Sequence, residues 1–123
     1  MIIQEKLIRI NNIHHKPKQF IIERFNVPEN LNGIHIHMGL PEDWVKCVFV
    51  YDQDYELRAE YDVVKSQEVI RIYETEEETS LRAKAGPVSP GEWIFAIEVE
   101  PEISEDIIEI GYYIEGIEKA RTF

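Results

Sequence analysis

The chain is 123 residues long, 44% hydrophobic and 11% aromatic, which suits one domain with a real core and no need of a disulfide or metal staple. Its formal net charge is −11, a field that repels phosphate backbones and argues against nucleic-acid binding. A single cysteine, Cys47, excludes an internal disulfide, and no apolar run approaches a membrane span or a signal-peptide core, so no membrane partner and a cytoplasmic location are expected.

Taken in chain order, the apolar residues alternate with polar ones far more often than they recur at helical spacing. "IIQEKLIRI" reads as an N-terminal edge strand, followed by a loop that carries "NN" at 11–12 and the adjacent His14 and His15 before Pro17. "FIIERFNV" (20–27) is a strand that Pro28 ends. "GIHIHMG" (33–39) places Ile34, Ile36 and Met38 on one face and His35 and His37 on the other. "LPEDWVK" (40–46) is a connection or a short helical turn, and Trp44 within it is a candidate for exposure. "CVFVYD" (47–52) is continuously apolar up to its Asp, which predicts a central strand buried on both faces, with Cys47 as a small buried thiol. "EVIRIYE" (68–74) alternates again, and the acidic "ETEEET" (74–79) reads as a solvated loop. "EWIFAIEVE" (92–100) directs Trp93, Phe95, Ile97 and Val99 to one side; "IIEIGYYIEGI" (107–117) does the same with Ile108, Ile110, Tyr112 and Ile114. Turn signals such as "PEN", "DQD", "GPVSPG" and "PEISED" recur between the runs. The spacing predicts an all-β antiparallel sandwich with jelly-roll-like connections and about eight strands. It forms a single domain over 1–123, with 1–19 as edge strand and loop.

Candidate chemistry is sparse. His35 and His37 point to the same side of one strand, so both can reach one ion, but a site needs a third ligand from another strand. The pleat offers a plainer role for them, an outward polar face. No metal ligand set is assigned beyond these two candidates, and no cofactor is expected. "YDQDYE" (51–56) spaces Asp52, Asp54 and Glu56 as oxygen ligands for calcium, yet lacks the glycine and distal glutamate of a calcium-hand loop and reads more simply as a hairpin turn. Glu98 and Glu100 share a strand face, whereas catalytic carboxylate pairs flank a cleft from opposite sides. No nucleophile elbow and no phosphate-cradling loop is present.

The segment "AGPVSPGEWIFAIEV" (85–99) has a physical reading of its own: two glycines and two prolines make a rigid turn that delivers Trp93 into the core. Together with the strand ending at Pro28 and "VFVYDQDYELR", with its Asp52 and Arg58, this run of Gly86, Pro87, Val88, Pro90, Gly91 and Trp93 resembles a known pattern. It is similar to the small β-sandwich domain that precedes the catalytic domain in one branch of the PHP (polymerase and histidinol phosphatase) family of metal-dependent phosphoesterases. The resemblance covers roughly residues 20–115. It departs from the family after Arg58, where Ala59 and Glu60 replace a Gly-Trp.

The resemblance implies a non-catalytic accessory domain, or a stand-alone homologue, that packs on a catalytic domain in cis or forms a homo-oligomer. The family's catalytic H-x-H belongs to the α/β domain, which would have to follow residue 123, so His35 and His37 do not correspond to it. The alternative is a carbohydrate- or other ligand-binding sandwich with Trp44 and Arg58 facing the ligand. A third reading, from another class, is a small metal-dependent hydrolase built on His35 and His37.

Overall fold

Alternating apolar residues give each strand one face that must leave water, and two sheets laid face to face satisfy eight such strands at once. A computed structural model describes residues 1–11, 19–39, 45–62, 67–100 and 107–120, the side chains of Asn11 and Ile108 excepted. Its elements are β1 (Ile2–Asn11), β2 (Gln19–Val27), β3 (Leu31–Gly39), β4 (Val45–Tyr51), β5 (Leu57–Tyr61), β6 (Gln67–Tyr73), β7 (Gly91–Val99) and β8 (Ile107–Glu118). They form two four-stranded sheets, in the orders β1-β8-β3-β6 and β2-β7-β4-β5, and every pairing is antiparallel. Apart from the β4–β5 hairpin, the chain changes sheet at each connection, which is the double Greek key of an eight-stranded jelly roll. The expected fold class is therefore the observed one.

The core lies between the sheets. Ile34, Ile36 and Met38 of β3, Ile70 and Ile72 of β6, and Ile110 and Ile114 of β8 meet Phe25 of β2, Val48 and Val50 of β4, and Trp93, Phe95 and Ile97 of β7. Each such side chain contributes roughly 1.5–3 kcal/mol by leaving water. Phe95 stands edge-on to Tyr112 at 4.8 Å between centroids, joining β7 to β8 across the layers. Polar groups enter this interior where β1 and β2, both edge strands, approach each other. There the Tyr112 hydroxyl donates to Glu23 Oε1 at 2.6 Å and accepts from Gln4 Nε2 at 2.7 Å, while Lys6 pairs with Glu23 at 3.1 Å. Burial, then the bond to Glu23, pushes the Tyr112 phenol well above its ordinary range, so it remains a donor.

The expected burial of β4 on both faces, and of its Cys47 thiol, is corrected. β4 is central, but only Val45, Val48 and Val50 are buried; Cys47, Phe49 and Tyr51 are half-buried on the outer face. The eighth strand is β5, whose "LRAEY" alternates over only five residues, and its burial departs from that alternation because Leu57 is exposed and Arg58 is buried. "YDQDYE" is a hairpin turn, as expected: Asp52 Oδ1 accepts from the amides of Asp54 and Glu56 at 2.9 and 3.1 Å, and Tyr55 adopts φ 62°. No helix among the described residues is long and apolar enough to cross a membrane.

Candidate functional site

Arg58, expected to face a ligand, instead lies inside the sandwich at 3% exposure. A register shift between β4 and β5 at Val50/Tyr51 re-aims it inward. Its guanidinium donates to the carbonyls of Lys84, Gly86 and Pro87 at 3.1, 2.9 and 2.8 Å, pairs with the buried Asp52 at 3.4 Å and lies over the Trp93 ring at 5.2 Å. Gly86, at φ 155°, allows that approach, since a Cβ there would sit 3.3 Å from an Arg58 nitrogen. Trp93 is fully buried and donates from Nε1 to the Ser89 carbonyl at 2.8 Å. Asp52, Arg58, Gly86, Pro87 and Trp93 are thus one structural lock, with Arg58's donors turned away from solvent.

The histidines do face outward, on the β1-β8-β3-β6 sheet. Antiparallel register sets His35 opposite Arg71 of β6 and Glu115 of β8, and His37 opposite Tyr113 of β8. His35 Nδ1 lies 3.4 Å from Glu115 Oε1, and His37 Nε2 lies 3.6 Å from the same oxygen. One ligand atom from each of the three residues falls within 4.8 Å of the others. The rings are held from behind. His35 Nε2 is 2.7 Å from the Tyr73 hydroxyl, and His37 stacks on Tyr113 at 4.1 Å with only 10° between planes. Tyr73 reaches His35 because it lies over Gly33; a Cβ at that glycine would come within 2.5 Å of the Tyr73 ring. Burial, then the charge of Arg71, lowers the His35 pKa below 6.5 against the opposing pull of Glu115, so its imidazole is neutral at neutral pH. His37 Nε2 is buried with no hydrogen-bond partner. Beside His37 a shallow depression of about 450 Å³ runs over Gly39 and Gly111 between Leu7 and Tyr113.

The opposite sheet shows a different outer face. Ala96 pairs with Ile22 on one side and Phe49 on the other, Ile94 with Arg24 and Tyr51, and Glu98 with Phe20 and Cys47. Phe20 and Ile22 are 61% and 58% exposed, and Leu57 marks the far edge of the same apolar stripe. Burial, then neighbouring Glu98, raises the Cys47 thiol pKa, which leaves it a poor nucleophile.

Of the sequence candidates, the structure brings His35 and His37 together and adds Glu115, Tyr73 and Tyr113, which sequence reasoning missed because only strand register joins them. Trp44, His14 and His15 lie outside the described residues. Compared with known proteins, the chain matches no family model, no curated protein and no solved structure, so what its surfaces do is read from their own geometry.

Proposed function

We propose that this chain is a non-catalytic accessory β-sandwich that docks through the outer face of its β2-β7-β4-β5 sheet onto another polypeptide domain. The observation that carries this reading is the apolar stripe of Phe20, Ile22, Phe49, Ile94 and Ala96 across that sheet. A solvated sheet face alternates to polar side chains, and contiguous exposed apolar surface marks an interaction site. The class of partner comes from the resemblance to PHP accessory domains: a metal-dependent phosphoesterase domain, in the same chain or beside it.

Site-specific photocrosslinking tests this. A benzophenone amino acid at Ile22 should capture a phosphoesterase domain in the native cell, while the same probe at the fully exposed Leu81 should not. Capture only of a second copy of this chain, or of no defined species, would overturn the proposed partner. With the probe kept at position 22, Phe20→Asp should abolish the capture while changing stability by no more than about 0.5 kcal/mol, as expected at an exposed position.

A ligand-binding module is the second reading, favoured by the depression over Gly39 and Gly111, which Tyr113 and Glu5 border as a stacking platform and a carboxylate acceptor. Saturable shifts of the Tyr113 ring resonances on titration with a glycan panel would support it; an unresponsive ring across the panel counts against it.

A further inference from the structure

The outer face of the β1-β8-β3-β6 sheet offers a set of donors independent of the docking stripe. We propose that His35, His37 and Glu115 form a binding site for one divalent first-row transition cation, with zinc as the reference ion.

The argument begins with separations. Zinc holds nitrogen and oxygen ligands at 2.0–2.2 Å in a tetrahedron, so its ligand atoms stand about 3.3 Å apart. Glu115 Oε1 stands 3.4 Å from His35 Nδ1 and 3.6 Å from His37 Nε2, so two edges of such a tetrahedron already exist. All three ligand atoms lie within 4.8 Å of one another, so the third edge, between the histidine nitrogens, needs to shorten by no more than about 1.5 Å to match. The three ligands come from adjacent strands, with His35 and Glu115 directly opposite in register. The backbone therefore fixes the geometry before any ion arrives.

Partner bonding points the same way. His35 Nε2 is tied to the Tyr73 hydroxyl at 2.7 Å, and in the tautomer with Nε2–H donating, Nδ1 would offer its lone pair to an ion shared with Glu115. Metal-bound histidines characteristically anchor their second nitrogen in this manner. His37 Nε2 is buried with no hydrogen-bond partner, Glu115 Oε1 lying just out of reach at 3.6 Å, so a cation between them would restore what burial removes. Neutral imidazoles with one carboxylate suit zinc and its neighbours and do not suit calcium or magnesium, which prefer all-oxygen shells. Arg71, opposite His35 on β6, adds an opposing positive charge, but it is exposed and screened by solvent. Three protein ligands on an outer sheet face leave the fourth position to water or to a donor from another molecule.

Isothermal titration of the full chain, stripped of metal with chelator and titrated with zinc chloride in a non-coordinating buffer, tests the site. One ion per chain should bind. Cobalt(II) should give intense visible d–d bands, as low-symmetry histidine and carboxylate coordination produces. Glu115→Gln, nearly isosteric at a half-exposed position, should weaken binding more than a hundredfold, and so should His35→Ala or His37→Ala. Tyr73→Phe, which removes the anchor and keeps the ligands, should weaken it about tenfold. The double variant His14→Ala/His15→Ala should bind as the parent does. If either histidine variant fails to fold by circular dichroism, Glu115→Gln decides alone. The proposal is overturned by an absence of saturable zinc binding, by Glu115→Gln binding with parental affinity, or by loss of binding in the His14/His15 variant.

Discussion

At the residue scale, Arg58 shows why side-chain chemistry alone misplaces a residue. An arginine after a hairpin reads as a surface cation, yet its five donors fit a pocket of carbonyls that the Gly86–Pro87 turn presents. Removing one member of a buried pair strands the other charge, so Arg58→Ala should lose about 3–5 kcal/mol in urea denaturation. Asp52→Ala/Arg58→Ala should then lose less than the sum of the single variants, because the two residues share one interaction. His35 permits a pH prediction. Its pKa is depressed in the fold relative to the unfolded 6.5 by burial and by Arg71, with His37 adding to the depression and Glu115 opposing it. Between the folded and unfolded values the unfolded chain binds more protons, so stability rises with pH there. The contribution is fully present above about pH 6.5 and is lost as pH falls through the folded pKa. Denaturation midpoints measured without metal from pH 7.5 downward should fall through this window, and His35→Gln should flatten that fall.

At the element scale, β3 illustrates how a strand's two faces are specified separately. Ile34, Ile36 and Met38 fill the core by alternation, a feature legible from "GIHIHMG" alone. The outer face depends on β3's neighbours: β6 supplies Tyr73 and Arg71, and β8 supplies Glu115 and Tyr113. Gly33 is the hinge of that face, since Tyr73 occupies the space its missing side chain leaves. Gly33→Ala should cost about 1–3 kcal/mol, as overpacking does, and should break the Tyr73–His35 bond. Tyr73→Ala in the same chain should relieve most of the clash, which a double-mutant cycle of unfolding free energies measures. β4 failed the expectation of burial on both faces for a related reason. A run of apolar residues reports hydrophobicity without saying what covers it, and Phe49 belongs to the stripe proposed to meet a partner.

At the scale of the whole molecule, the pairing of β1 with β8 joins the two ends of the chain, and β2 pairs with β7 in the same manner. Such non-local pairing closes long loops before any contact offsets the entropy. Refolding followed by the buried Trp93 should therefore take milliseconds to seconds, as in other all-β sandwiches; a microsecond phase carrying the full amplitude would contradict this topology as the rate-determining feature. The sequence by itself determined the all-β class, seven of the eight strands, the inward set on β7, the inward Ile110, Tyr112 and Ile114 of β8, and the outward aim of His35 and His37. All of these follow from a two-residue periodicity that any strand obeys. Only the tertiary structure decided that Arg58 turns inward and that Glu115, eighty positions beyond His35, completes a three-ligand cluster. Register between strands distant in sequence depends on the packing of every strand at once, and no local pattern encodes it.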